Sequence, residues 1–175
     1  MIRITGGTLR GRTLSQAVPP GVRPTAARMR EALFSMIGQD LAGWSLLDAF
    51  GGMGLFSFEA WSRGAAPVTT VEKSRRTADQ LRVEAGRLGV PLDLRVDDAQ
   101  RILSAPSEGW DLIFLDPPYA EDPLPWASLA AQRTRRLLVV EHRADRELPA
   151  AIGPLLLDRR RAYGEGAVSL FRPPA

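Results

Sequence analysis

Ser45-Leu46-Leu47-Asp48-Ala49-Phe50-Gly51-Gly52-Met53-Gly54 decides the fold class. It reads as a buried strand running into a glycine-rich turn. Leu55 to Arg63, closed by Gly64, reads as the helix behind it. Strand, glycine loop and helix bring backbone N–H groups and a helix N-terminus close to a ligand. The glycines are expected where a Cβ would block that approach. A dinucleotide fingerprint would need a further glycine where Ser57 stands, and the apolar Met53 suits a pyrophosphate poorly. Alone, the loop points to a nucleotide-like ligand and no further.

Downstream, the pattern repeats. Val68–Val71 reads as a second strand ending in Glu72. An acid there can accept both hydroxyls of a ribose. A surface acid is the plainer reading, and the glycine loop one unit earlier favours the ribose. Ser74 is expected to cap a helix through Leu88, ended by Gly89. Leu92–Val96 reads as the third strand, followed by Asp97-Asp98-Ala99. Asp98 is placed to accept an adenine amino group, with the Ala99 N–H donating to the ring; capping of the next short helix competes, above all for Asp97.

Trp110-Asp111 opens a fourth strand whose apolar run Leu112–Leu115 delivers Asp116-Pro117-Pro118-Tyr119. Two prolines stop any helix or ladder, yet their carbonyls still accept hydrogen bonds. A carboxylate, fixed carbonyls and an aromatic face suit a flat molecule bearing an exocyclic amino group. In isolation the four residues read as an ordinary Pro-Pro turn. Leu129 anchors a further helix, and Leu137–Val140 is the fifth strand, ending in Glu141-His142. Leu155 to Tyr163 and Ala167 to Phe171 flank Gly164-Glu165-Gly166 as an antiparallel hairpin.

Upstream, residues 1–24 read as a small arginine-studded hairpin and loop, and 25–175 as the main domain. Thr25 is expected to cap a helix that places Met29, Leu33, Met36 and Ile37 on one face and stops at Gly38. Arg3, Arg10, Arg12, Arg23, Arg28 and Arg30 stand against only Glu31 and Asp40 in this region. Arg23 and Arg28 read equally well as solvated charge or as anion contacts.

Composition narrows the classes. The 175 residues fit one domain with a small appendage, and 45% hydrophobic with 25% charged residues is ordinary for a globular chain. No apolar run reaches membrane-span length and the first residues form no signal peptide, so a cytoplasmic setting is expected. The absence of cysteine excludes disulfides, thiolate metal sites and cysteine nucleophiles. Lys73 is the sole lysine among 23 basic residues, so 22 are arginine, a planar fork that suits phosphate. His142 is the only histidine and is expected to be structural; no metal cluster is expected.

Four consecutive strands thus end in a candidate ligand group: the Asp48 loop, Glu72, Asp98 and Asp116. In an open parallel sheet these ends line one crevice. Adenosine recognition beside an amino-group acceptor, without a phosphate-clamping loop, points to S-adenosylmethionine and N-methylation.

Asp48-Ala-Phe-Gly-Gly-Met-Gly54, Val71-Glu72-Lys73 and Asp116-Pro-Pro-Tyr119 resemble the motifs of amino-methylating class I methyltransferases. The flanks narrow the resemblance to the RsmD-type 16S ribosomal RNA guanine-N2 methyltransferases. Those flanks are Arg10-Gly11-Arg12, Arg23-Pro24-Thr25 with Arg28 and Glu31-Ala32-Leu33-Phe34, Ser62-Arg63-Gly64-Ala65, Val140-Glu141-His142 and Tyr163-Gly164. The resemblance covers nearly the whole chain. It implies an α/β, Rossmann-like, mostly parallel sheet with an antiparallel C-terminal hairpin strand and a small N-terminal β-hairpin extension. It implies S-adenosylmethionine held by Asp48, Phe50, Gly52, Gly54, Glu72, Lys73, Asp98, Ala99 and Asp116. It implies chemistry at Asp116, Pro117 and Tyr119, and RNA contacts from Arg10, Arg12, Arg23 and Arg28. The partner would be 16S ribosomal RNA or an assembling small subunit, met by a monomer without metal. The rival readings are a DNA adenine-N6 or cytosine-N4 amino-methyltransferase and a catalytically inactive RNA-binding module. The family usually carries Ala-Gly-(Ser/Thr)-Gly in the first loop; here Gly51 and Met53 take the alanine and hydroxyl positions.

Overall fold

The strand carrying Asp116 is buried along its whole length, Trp110–Leu115, and the other elements are layered around it. The computed structural model describes residues 2–17 and 24–175, the side chains of 24–26 apart. In chain order the elements are α1 (Pro24–Ile37), β1 (Leu46–Asp48), α2 (Leu55–Ser62), β2 (Val68–Glu72), α3 (Arg75–Leu88), β3 (Leu92–Val96), α4 (Ala99–Ser104), β4 (Trp110–Leu115), α5 (Leu124–Ala131), β5 (Thr134–Arg143), β6 (Ala151–Ile152), β7 (Leu155–Tyr163) and β8 (Gly166–Arg172).

These strands form one sheet in the order β3-β2-β1-β4-β5-β8-β7-β6. β1 to β5 are parallel, and β8, β7 and β6 add antiparallel pairs at one side. This is the Rossmann-like architecture expected from the sequence. The order reverses between β1 and β4, and an open α/β sheet leaves a crevice at the carboxyl ends on either side of such a point. Unbroken apolar strands such as Leu112–Leu115 are what a sheet covered on both faces requires. One face packs Leu47, Ile113, Leu138 and Phe171 with α4 and α5 residues. The other packs Leu46, Phe114, Val139 and Leu170 with α1 and α2 residues. There Phe34, Phe56 and Phe114 stack, with ring centroids 5.2 and 3.8 Å apart.

Local signals placed most helix ends. Ser74 caps α3 by accepting from the Thr77 N–H at 3.3 Å, and Gly89 ends it with φ +72°. α1 departs from expectation: it starts at Pro24, so Thr25 lies inside its first turn rather than at the cap. Proline at the first helical position forfeits no hydrogen bond and presets φ, so it outcompetes threonine as the starting residue. β5 also runs past the apolar core Leu137–Val140 at both ends, because β4 and β8 supply backbone partners on its two sides.

Residues 2–17 turn back on themselves through a single antiparallel bridge, Arg3 to Thr13. Ile4, Leu9 and Leu14 join Phe58, Leu81 and Leu88 in one apolar cluster. Glu59, fully buried on α2, is the polar anchor beneath them. It accepts from Arg30 at 3.1 Å, Arg63 at 3.2 Å and the Thr5 N–H at 2.6 Å. Arg30, counted with the basic N-terminal residues from sequence, is therefore buried structure rather than surface charge.

Candidate active site

The carboxyl ends of β2, β3 and β4 open onto one cleft of about 720 Å³, a volume suited to a nucleoside-sized ligand. Glu72, Asp98 and Asp116 all reach it from their separate strands. Phe50, Gly52, Lys73, Ala99, Pro117 and Tyr119 line it as well. Glu72 accepts the N–H groups of Gly52 and Ser74, each at 2.8 Å. A carboxylate has about four acceptor positions, so two backbone bonds leave room for ligand hydroxyls. Asp98 caps α4 with one oxygen, 2.8 Å from the Gln100 N–H, and turns the other to Lys73 Nζ at 3.5 Å. The capping and ligand readings of Asp98 are thus compatible; Asp97 instead accepts the Asp98 N–H at 2.7 Å. Among the described residues lining the cleft, the acids Glu72, Asp97, Asp98, Asp116 and Glu121 outnumber the one cation, Lys73, and Arg101 lies 3.6 Å from Asp97 at the edge. Such a lining favours a cationic ligand over a phosphate.

Two sequence candidates lie outside that lining. Asp48 is 1% exposed and sits beneath the loop, accepting from Ser57 Oγ at 2.8 Å. Its Oδ1 is buried without a partner among the described residues. Burial pushes its carboxyl up to about 6, against the pull of the Ser57 hydrogen bond. Gly54 is the N-cap of α2 at φ +78°, and a Cβ there would strike Leu81 and Phe58. That glycine keeps α2 packed against both, whereas Gly52 lines the cleft and has open space where its Cβ would lie. Gly51 has a third reason. A Cβ there would meet Thr70 Cγ2 at 2.6 Å, so Thr70 takes the room that the family's alanine would need.

Asp116 is open to the cleft, while its flank meets a second carboxyl. The β4–β5 register pairs Leu115 with Val140, so Asp116 falls beside Glu141. Although one side of Asp116 is open, the protein packed around it displaces water from its carboxyl, and this desolvation first, then the charges of Glu141 and Asp48, holds it well above the usual carboxylate range. Burial likewise lifts Glu141, to about 7. Tyr119 Oη donates to Glu141 Oε1 at 3.2 Å, and its phenol is raised by burial and by that neighbouring charge.

Residues 2–172 match the family described as "Conserved hypothetical protein 95". The chain is 31% identical to the "Ribosomal RNA small subunit methyltransferase D" of Escherichia coli over 99% of its own length and 91% of the relative's. The chain belongs to the RsmD-type family. The solved structure of the Escherichia coli protein yhhF superposes with a TM-score of 0.85 at 31% identity, covering 99% of this chain and 98% of that one. A SAM Dependent Methyltransferase from Agrobacterium tumefaciens shares the fold, with a TM-score of 0.62 at 16% identity over 88% of this chain and 64% of that one.

In this RsmD-type chain Arg10, Arg12 and Arg28 are exposed, while Arg23 lies outside the described residues. His142 is buried; its Nδ1–H donates to the Arg143 carbonyl at 2.8 Å and Nε2 accepts from Ser169 Oγ at 2.8 Å. Burial lowers its pKa, which keeps it neutral. Two site residues carried no legible chemistry in the sequence. Trp126 of α5 packs edge-on to Phe50, centroids 5.3 Å apart, and forms the apolar end of the cleft. Glu141 followed an apolar strand as any terminal acid does, and only the register brings it to Asp116. Among the described residues no helix is long and apolar enough to cross a membrane, and no group of three or more His, Cys, Asp or Glu residues could hold a metal ion.

Proposed function

We propose that this protein transfers a methyl group from S-adenosylmethionine to the exocyclic N2 amino group of a guanine in small-subunit ribosomal RNA. The observation that carries the reading is the shared cleft. An acid-rich, lysine-poor nucleoside pocket and the Asp116-Pro117 acceptor pair open into the same space. The residues fit the donor: Glu72 keeps acceptor positions for ribose, Phe50 and Trp126 supply an apolar wall, and the surplus of carboxylates suits a sulfonium and an ammonium. The bound donor supplies an already activated methyl group.

The chain's task is therefore positioning and charge control. A guanine amino lone pair is conjugated into the ring and attacks weakly. Asp116 and the Pro117 carbonyl accept its N–H hydrogens and draw the lone pair out of the ring plane. Tyr119 borders the same space and offers a face for the base, flipped from its stack. The exposed Arg10, Arg12 and Arg28, with Arg23, serve as RNA backbone contacts from the N-terminal hairpin unit and from α1. The name of the Escherichia coli relative supports ribosomal RNA as the substrate class. The protein acts as a metal-free monomer in the cytoplasm, where that RNA is made and assembled.

The test is transfer of labelled methyl to small ribosomal subunits, or their naked RNA, that lack the modification. Label in a single guanine as N2-methylguanine is expected. Preferential labelling of duplex DNA would overturn the RNA assignment, and RNA binding without transfer would leave only the binding-module reading.

A further inference from the structure

Among the described residues, Asp116 is the single one common to the donor cleft and to a second, smaller space behind it. That space is a slot of about 170 Å³ walled by Met29, Leu33, Phe56 and Phe114. Its polar end is formed by Asp116 and Glu141. The two carboxyls sit at the tips of adjacent parallel strands, on the sheet face shared with Phe114 and Val139. Glu141 therefore faces three things at once. It lies beside Asp116 at the tip of the adjacent strand, it accepts the Tyr119 hydroxyl at 3.2 Å, and it borders a surface depression with Pro118, Arg143 and Arg146. The hairpin of β7 and β8 is shaped to this arrangement: a Cβ on Gly166 would collide with the Tyr119 hydroxyl.

We infer that Glu141 is a positioning residue of the transfer step, which shares a proton with Asp116 and takes over the one that Asp116 receives from the amine. This rests on the proposed methyl transfer. As the N2–CH3 bond forms, the S–CH3 bond breaks and sulfur keeps that electron pair. The nitrogen gains positive charge and loses one of its two protons to the Asp116 carboxylate. A donor and a base held in the cleft would stand between Asp116 and water on that side. Glu141 supplies the other side: it gives up the shared proton toward the surface depression and takes the amine's proton from Asp116 in its place, so the pair ends as it began, with one proton. Its second task is to hold Tyr119 by the hydroxyl. Two adjacent carboxyls that share one proton titrate as a pair, not as separate residues.

The groups around Glu141 set the sign of the test. Asp116 faces it from β4, with Asp48 behind, and Tyr119 faces it from the following loop. Arg30 of α1 lies across the slot. Arg161 of β7 shares its register through Val168, and Glu165 lies near Tyr119 at the hairpin turn. Removing the Glu141 charge removes the nearest like charge from Asp116, which then ionises at lower pH.

The experiment measures donor affinity and single-turnover methyl transfer to ribosomal RNA across pH for the wild type and Glu141→Gln. The variant should bind the donor within about twofold, lose on the order of 100-fold in transfer rate, and show its acid limb at lower pH than the wild type. Wild-type rates in the variant, or a slow variant whose acid limb has not moved, would overturn the role. Carboxyl NMR on the unaltered protein gives an answer that no folding defect can cloud. Asp116 and Glu141 should titrate together in two coupled steps, and independent single-step curves would refute the pair. Transfer by the wild type tests the methyltransferase assignment; the variant's pH profile tests Glu141 alone.

Discussion

Asp48→Asn should make the protein more stable above neutral pH while leaving it no more stable in acid. Asp48 is 1% exposed, and its carboxyl is raised from 3.8 to about 6 by burial. A raised acid holds its proton more tightly in the folded chain than in the unfolded one. Between 3.8 and about 6 the folded state therefore binds more protons, and stability falls as pH rises through that window. The contribution is about 3 kcal/mol, present in full below about pH 3 and lost by about pH 7. Asparagine keeps the shape and can still accept from Ser57, whose hydroxyl also lies 2.8 Å from Thr70 Oγ1. Its amide N–H₂ occupies the position of the unpartnered Oδ1, at a cost of ~1 kcal/mol that does not change with pH. Urea unfolding of both proteins at about pH 4 and about pH 8 isolates the ionisation of Asp48 together with its coupling to Glu72 and Asp116, because acids that do not sense its charge cancel in the difference. The variant should gain roughly 2 kcal/mol on the wild type between those two conditions. A variant-minus-wild-type difference equal at both pH values would refute the claim that an ionised Asp48 is strained beneath the loop.

Glu72→Ala should weaken donor binding more than tenfold by calorimetry, since it removes ribose acceptors and frees the Gly52 and Ser74 N–H groups together; unchanged affinity would reject that role. Gly54→Ala should lower the unfolding midpoint by more than an exposed glycine substitution does, because the new methyl meets Leu81 and Phe58 at a φ of +78°. A stable Gly54→Ala protein would mean that α2 shifts freely. Neutralising Arg10 and Arg12 together should flatten the salt dependence of RNA affinity by about two units of slope, with donor affinity untouched; an unchanged slope would return both to solvated surface charge. Glu59→Gln should cost about 3 kcal/mol or more in stability, as Arg30 and Arg63 would be left half-paired in the interior; a loss below about 1 kcal/mol would show that the buried clamp is dispensable.

The chain's local patterns carried much of this architecture. Uninterrupted apolar runs such as Leu112–Leu115 require cover on both faces, and alternation with helical segments then requires a parallel sheet. Ser74 and Gly89 fixed the ends of α3 because a cap satisfies its own neighbours' backbone groups. The order of the Asp48 loop, Glu72, Asp98 and Asp116 along the chain was enough to predict one shared crevice, since parallel strands all present their carboxyl ends to one side; Glu72, Asp98 and Asp116 reach it, and Asp48 lies beneath the loop.

What the sequence could not specify is which side chains meet across strands. The placement of β4 between β1 and β5 sets Asp116 beside Glu141 and within reach of Asp48, and nothing local to any of the three announces it. Gly51 and Gly54 stand where a Cβ would meet Thr70, Leu81 and Phe58, residues brought against them by the fold. Arg30 reads as one more surface cation until Glu59 is found buried beneath it. Backbone hydrogen bonding and hydrophobic period are properties of neighbours in sequence, so they are written locally. Partnering between buried polar groups depends on strand order and register, so it exists only once the chain has folded.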